Sequence, residues 1–172
     1  MGVEQSREMD FWILDEYLRF SEAIADKPQS YMAFQMLYWT GMREADMLAL
    51  TPEDIDFEKN TIRINKQFHW KKGEDVVSTP KTKKGRRTVV IPSFLTEELQ
   101  NYLDHIYHIE PDERIIKIRK SGLGHEMDRG SKLAGVKLIR PHDLRHPYVK
   151  HTTKKYNSEK QKTQATKMDL IA

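Results

Sequence analysis

The stretch SYMAFQMLYWTG, Ser30 to Gly41, constrains the fold more than any other in this chain. Met32, Phe34, Met36, Leu37 and Trp39 spread round a helical wheel instead of lining one stripe, so a helix here has to be covered on nearly all sides. Gly41 supplies its stop, because glycine accepts the left-handed backbone that closes helices. A central helix of this kind needs neighbours, and the sequence offers them on both sides. Ile13, Tyr17, Phe20 and Ile24 recur at steps of four, three and four, the face of an amphipathic helix that Pro28 interrupts. Leu95, Leu99, Tyr102 and Ile106 recur with helical spacing behind Glu97 and Glu98.

Between these helices the period changes. READMLAL can resume as a helix, and TPEDID offers Thr51 as N-cap with Pro52 at the first helical position. From Asn60 on, Ile62 and Ile64 alternate with Arg63 and Asn65, and EDVVSTPKTKKGRRTVVIP gives two β-rich runs around a turn at Lys83, Lys84 and Gly85. The expectation is an α+β fold, mainly helical, with a small three-stranded antiparallel sheet. Gly122, Gly124 and Gly130 break any pattern between residues 110 and 130, while SKLAGV is read as ending a helix at Gly135. From Lys150 to Lys167 only Tyr156 and Ala165 are apolar, so residues 150–172 are expected to form a basic, disordered tail behind one domain at 1–149.

Composition excludes several function classes. With no cysteine, the 172-residue chain has no disulfide, no thiolate nucleophile and no Cys-based zinc site, which fits a reducing interior and a cytoplasmic expectation. No apolar run approaches the roughly 18 residues of a membrane span. A formal charge of +3 permits a nucleic-acid partner without requiring one.

Polar clusters stand beside the apolar elements in TGMREADMLAL, TPKTKKGRRTVVIP and RPHDLRH. The plain alternatives are structural: Arg43 pairing with Asp46 along one helix face, and Lys81, Lys83 and Lys84 as a solvated hairpin tip. In the last cluster His142 and His146 at i and i+4 resemble a zinc-hydrolase pattern, but the intervening acid is Asp143 where that pattern has Glu, Pro147 follows, and no third ligand is evident. His142 and Arg145 at i and i+3 instead point the same way from one helical turn and suit an anion. Two arginines from distant segments with a histidine and a lysine make a phosphate site, because guanidinium forks match phosphate oxygens and stay charged.

The order of these clusters, TGMREADMLALTPEDIDFEKNTIRI, then PKTKKGRRTVVIP, then IRPHDLRH, resembles the catalytic domain of tyrosine site-specific recombinases, the integrases of phages and conjugative transposons, from about Phe11 to His146. The resemblance implies DNA integration or excision by strand cleavage and rejoining through a phosphotyrosine, with double-stranded DNA as partner and neither metal nor ATP as cofactor. It implies that Arg43 and Arg145 hold the scissile phosphate, Asp46 supports that site, Lys81 protonates the departing 5′ hydroxyl and His142 assists proton transfer. Lys83 and Lys84 join Arg43, Lys81 and Arg145 as expected DNA contacts. Family members assemble as tetramers on DNA and exchange carboxy-terminal segments, so a chain without that segment is expected to be monomeric alone.

The resemblance stops after HDLRH. Pro147 stands where the family has a small hydroxyl residue, and no apolar helical pattern follows. The family's nucleophilic tyrosine is expected past Ala172, which reads as a truncated or frame-shifted end, just as the usual amino-terminal DNA-binding domains are expected to be absent. Tyr148 is expected to be core. Tyr156, in HTTKKYN, is the remaining nucleophile candidate, though it comes early and without a scaffold. The chain is therefore expected to bind DNA without completing cleavage; the alternative of another class is an inactive DNA-binding remnant or regulator.

Overall fold

The computed structural model describes residues 11–80 and 85–145. Helix α1 (Leu14–Ala23) and helix α2 (Pro28–Thr40) follow one another, with Pro28 in the first turn of α2, where its missing N–H costs nothing. Every residue from Met32 to Trp39 is buried, as the all-round apolar pattern requires. Gly41 closes α2 with φ of 63° and donates its N–H to the Leu37 carbonyl. Tyr17 of α1 stacks on Tyr38 of α2, and Phe20 meets Phe34 edge-on at 5.0 Å between ring centroids. Buried Gln35 accepts the Tyr17 hydroxyl and the Trp39 indole N–H, so these aromatic rings enter the core with their polar tips satisfied.

One residue of the first stripe is out of place. Ile13 precedes α1 in extended backbone and is 47% exposed, while Trp12 is fully buried with its Nε1 donating to the Lys137 carbonyl at 2.8 Å. The helical period does not reach back past the N-cap, so the next inward side chain is set by the strand-like backbone there.

Helix α3 (Glu44–Met47) is a single turn, and the 3-10 turn Pro52–Asp54 is capped by Thr51, whose hydroxyl and N–H both donate to Asp54. Strands β1 (Ile55–Asp56), β2 (Thr61–Ile64) and β5 (Arg87–Val90) form an antiparallel sheet in the order β1-β2-β5. Strand β3 (Gln67–Lys71) pairs with β4 (Glu74–Ser78) in a separate hairpin. A three-stranded sheet is therefore present, but EDVVS does not belong to it. Lys72 and Gly73 both take positive φ, the signature of a tight two-residue hairpin turn, so QFHWK folds back on EDVVS and leaves β5 to pair with β2.

Helix α4 (Ser93–Asp104) buries Leu95, Leu99 and Leu103 and lies against α2. Helix α5 (Lys120–Ala134) runs unbroken through Gly122, Gly124 and Gly130 and stops at Gly135 in left-handed backbone. The glycines that obscure its pattern have a packing reason at one position. A Cβ on Gly130 would lie 2.5 Å from both Ile24 and Phe20, so the missing side chain lets α5 approach α1. A 3-10 helix, Pro141–Arg145, ends the described residues with Leu144 buried. The expected tail at 150–172 lies outside the described residues.

Candidate active site

The end of α2 is where the site begins. Gly41 turns the chain out of the core, and Arg43 becomes the N-cap of α3, extended and exposed. One turn on, Asp46 points inward and is fully buried. A buried carboxylate needs partners for both oxygens. Asp46 has them: Arg87 Nη2 donates to Oδ2 at 3.0 Å, and Gln67 Nε2 donates to Oδ1 at 3.1 Å. The first residues of β3 and β5 are thereby pinned to α3. The Arg43–Asp46 helix-face pair considered from sequence does not form; Arg87, forty-one positions from Asp46, takes its place.

The third arginine arrives from the far end of the chain. Leu144 anchors the 3-10 helix, and Arg145 beside it donates from Nε to the Gly41 carbonyl at 2.7 Å. Burial pulls the Arg145 pKa below its ordinary value; the positive charges of Arg43 and then Arg87 push the same way, and Asp46 opposes them. Arg43, Arg87 and Arg145 therefore share one neighbourhood, with Asp46 as the carboxylate that acts on Arg145. The formal surplus there is two positive charges.

His142 is exposed on the same 3-10 helix. With three residues per turn, positions i and i+3 eclipse, so His142 and Arg145 emerge on one side, as the spacing suggested. Asp143 serves a different purpose. Burial raises its pKa, but hydrogen bonds from the Arg140 guanidinium, both at 2.9 Å, and from the Arg140 N–H outweigh this and leave it lowered. The acid of the zinc alternative is thus committed to an arginine, and among the described residues no group of His, Asp and Glu is arranged to hold a metal.

Arg43, Asp46 and Arg145 are brought together, and His142 shares the helix of Arg145. Lys81, Lys83, Lys84, His146, Tyr148 and Tyr156 lie outside the described residues. Sequence reasoning missed Arg87 and Gln67. A signal for Arg87 existed: it alternates in phase with Val89, which packs on the core, so β5 carries a charge on its inward face.

Comparison with known proteins decides the family, since the phage integrase family pattern matches residues 13–159. The chain belongs to the phage integrase family. It is 33% identical over 162 residues to the ICEBs1 integrase of Bacillus subtilis, covering 83% of this chain and 43% of that one. With the tyrosine recombinase XerA of Pyrococcus furiosus it shares 30% over 133 residues, covering 73% of this chain and 41% of the relative. The chain thus spans less than half the length of these relatives. Among solved structures, the Tn1549 transposon integrase in complex with a circular intermediate DNA superimposes with a TM-score of 0.65 at 20% identity, covering 89% of this chain and 54% of the other. The crystal structure of the XerA recombinase gives 0.63 at 22%, covering 85% and 50%. These likenesses establish the fold as that of the recombinase catalytic domain. Among the described residues no helix is long and apolar enough to cross a membrane.

Proposed function

We propose that this domain binds double-stranded DNA and holds a backbone phosphate for site-specific recombination, the DNA integration or excision carried out by cleavage and rejoining. The observation that carries the reading is the meeting of arginines from separate segments: Arg87 pairs with buried Asp46, and Arg145 bonds the Gly41 carbonyl two residues before Arg43, with positive charge in excess. Guanidinium groups are suited to this work because they stay charged and offer paired N–H donors to phosphate oxygens. Phosphoryl transfer needs positioning and charge stabilisation above all, and preorganised cations supply both. Arg43 and Arg145 are assigned to the phosphate oxygens, Asp46 to holding the cage in place, His142 to proton transfer and Lys81 to protonating the leaving 5′ hydroxyl. In the full reaction a tyrosine hydroxyl acts as nucleophile and the phosphotyrosine ester retains the bond energy for rejoining, so neither ATP nor a metal enters the scheme; that tyrosine is assigned to no residue of this chain, which is proposed to bind the phosphate without cleaving it. Tetrameric assembly on DNA and a cytoplasmic setting belong to the same proposal.

The test is equilibrium binding of a fluorescently labelled duplex. Arg43→Ala and Arg145→Ala are each expected to weaken binding roughly tenfold, the worth of one charge-assisted hydrogen bond. Unchanged affinity in both variants overturns the assignment.

A further inference from the structure

Arg87 is the member of the cluster to which neither the sequence motifs nor the pairing of Arg43 with Arg145 gives a task. Its position is tightly determined. Strand β5 pairs with β2 in a register that sets Arg87 opposite Ile64, and Nη2 donates to Asp46. Gln67 donates to the other Asp46 oxygen, and Arg87 holds the carboxylate with one arm only. One hydrogen bond is used of the five N–H donors an arginine carries, and the remaining donors have no acceptor among the described residues. The side chain is 32% exposed, so those donors have a route to solvent or to a ligand.

A purely structural role accounts poorly for this arrangement. Neutralising buried Asp46 calls for one cation fully engaged with it, preferably far from other cations. Instead Arg87 lies close enough to Arg145 to disfavour its charged form, as Arg43 also does. Like charges brought together cost free energy in the empty site and return it when an anion enters. A phosphodiester in this neighbourhood would meet all three cations.

We propose that Arg87 is a third phosphate-contacting residue of this site, held in place by Asp46 and Gln67 and presenting its unused N–H donors to a DNA phosphate. The proposal rests on the DNA reading above only for the identity of the anion. It differs from the family-pattern assignment by making Asp46 the positioning residue for a ligand-binding arginine on β5.

The experiment replaces the ion pair at constant net charge, with the double variant Asp46→Asn, Arg87→Gln, and measures duplex affinity over a range of salt concentrations. A phosphate contact contributes about 0.9 to the slope of log affinity against log salt, because each one releases condensed counterions. The slope is expected to fall by about that amount, and affinity at fixed salt by roughly tenfold. An unchanged slope, while Arg43→Ala lowers it, overturns the proposal and leaves the DNA reading intact. The second arm needs no variant to fold: NMR of the arginine Nε–H groups in the unmodified chain, titrated with inorganic phosphate. The Arg87 signal is expected to shift together with those of Arg43 and Arg145. If Arg145 responds and Arg87 does not, the proposal is overturned. If all three respond while Arg43→Ala and Arg145→Ala leave duplex affinity unchanged, the anion site stands and the DNA reading falls.

Discussion

Two glycines on one helix should respond in opposite directions to the same substitution. A Cβ added at Gly130 would sit 2.5 Å from Ile24 Cγ2 and 2.5 Å from Phe20 Cε2, well inside van der Waals contact. Both neighbours are fully buried, so neither can swing away into solvent. Overpacking of this kind costs about 1–3 kcal/mol, and two such contacts against immobile side chains place it near the upper end. Alanine returns about 1 kcal/mol through better helix propensity. The net expectation for Gly130→Ala is a loss of about 2 kcal/mol, which lowers the melting temperature of a chain this size by roughly 4–8 °C. At Gly124 a Cβ would meet nothing within 4 Å, so Gly124→Ala keeps the propensity gain without a clash. It should stabilise by up to about 1 kcal/mol. Urea denaturation of both variants beside the unmodified chain decides the matter. Equal shifts, or a neutral Gly130→Ala, would show that α1 and α5 do not depend on that close approach.

Removing the Asp46 carboxylate leaves Arg87 and Gln67 without their acceptor; buried pairs broken this way cost about 3–5 kcal/mol, and the partial exposure of Arg87 reduces this to about 2–3. Asp46→Ala measured by urea denaturation tests that, and a loss below about 0.5 kcal/mol contradicts the role given to Asp46. Glu126 has a lowered pKa: burial raises it, but hydrogen bonds from Lys27 and Arg129 outweigh burial. A depressed carboxylate contributes stability above its unfolded pKa and loses it as pH falls through the folded value. Glu126→Gln should therefore cost about 1 kcal/mol at neutral pH, with the difference from the unmodified chain shrinking as pH falls below the ordinary value of 4.5 and gone once pH passes the lower folded value; a constant difference across pH refutes it. Finally, the 172-residue chain incubated with a nicked suicide duplex should yield no gel-stable covalent species, since Tyr156 follows Arg145 too closely to take the nucleophile's place; an adduct mapped to Tyr156 refutes that.

What the sequence reveals in this chain is what neighbouring residues decide among themselves. The all-round apolar run forms α2 and Gly41 ends it; Thr51 and Pro52 open a turn; Gly135 closes α5. Each depends on a few consecutive residues. The pairing of strands does not. EDVVS has the composition to lie beside either QFHWK or RTVV, and the turn at Lys72 and Gly73 settles it by making the shorter loop. The same limit hides the interior of the site. Asp46 has a cation one turn away in Arg43, yet its partners arrive from β3 and β5, and nothing within α3 announces them. The resemblance singled out Arg43, Asp46, His142 and Arg145 by their order along the chain. Arg87 lay in the quoted PKTKKGRRTVVIP without a role, and only the geometry of Asp46 singles it out.

The placement of these charges relative to α2 explains how the fold tolerates them. Arg145 donates to the carbonyl of Gly41, at the end of α2 where unpaired carbonyls concentrate the helix's negative pole, equivalent to about half an elementary charge. Buried Asp46 adds one more negative charge, against three guanidinium groups. The site is thus left with roughly one and a half positive charges, too many to be neutral by itself and too few to call for a highly charged ligand. A single phosphodiester carries one negative charge and brings the site to within about half a charge of neutrality. The helix that constrains the fold most strongly also ends where its pole is needed, and because it is buried from Met32 to Trp39, that pole is fixed in place before any ligand arrives.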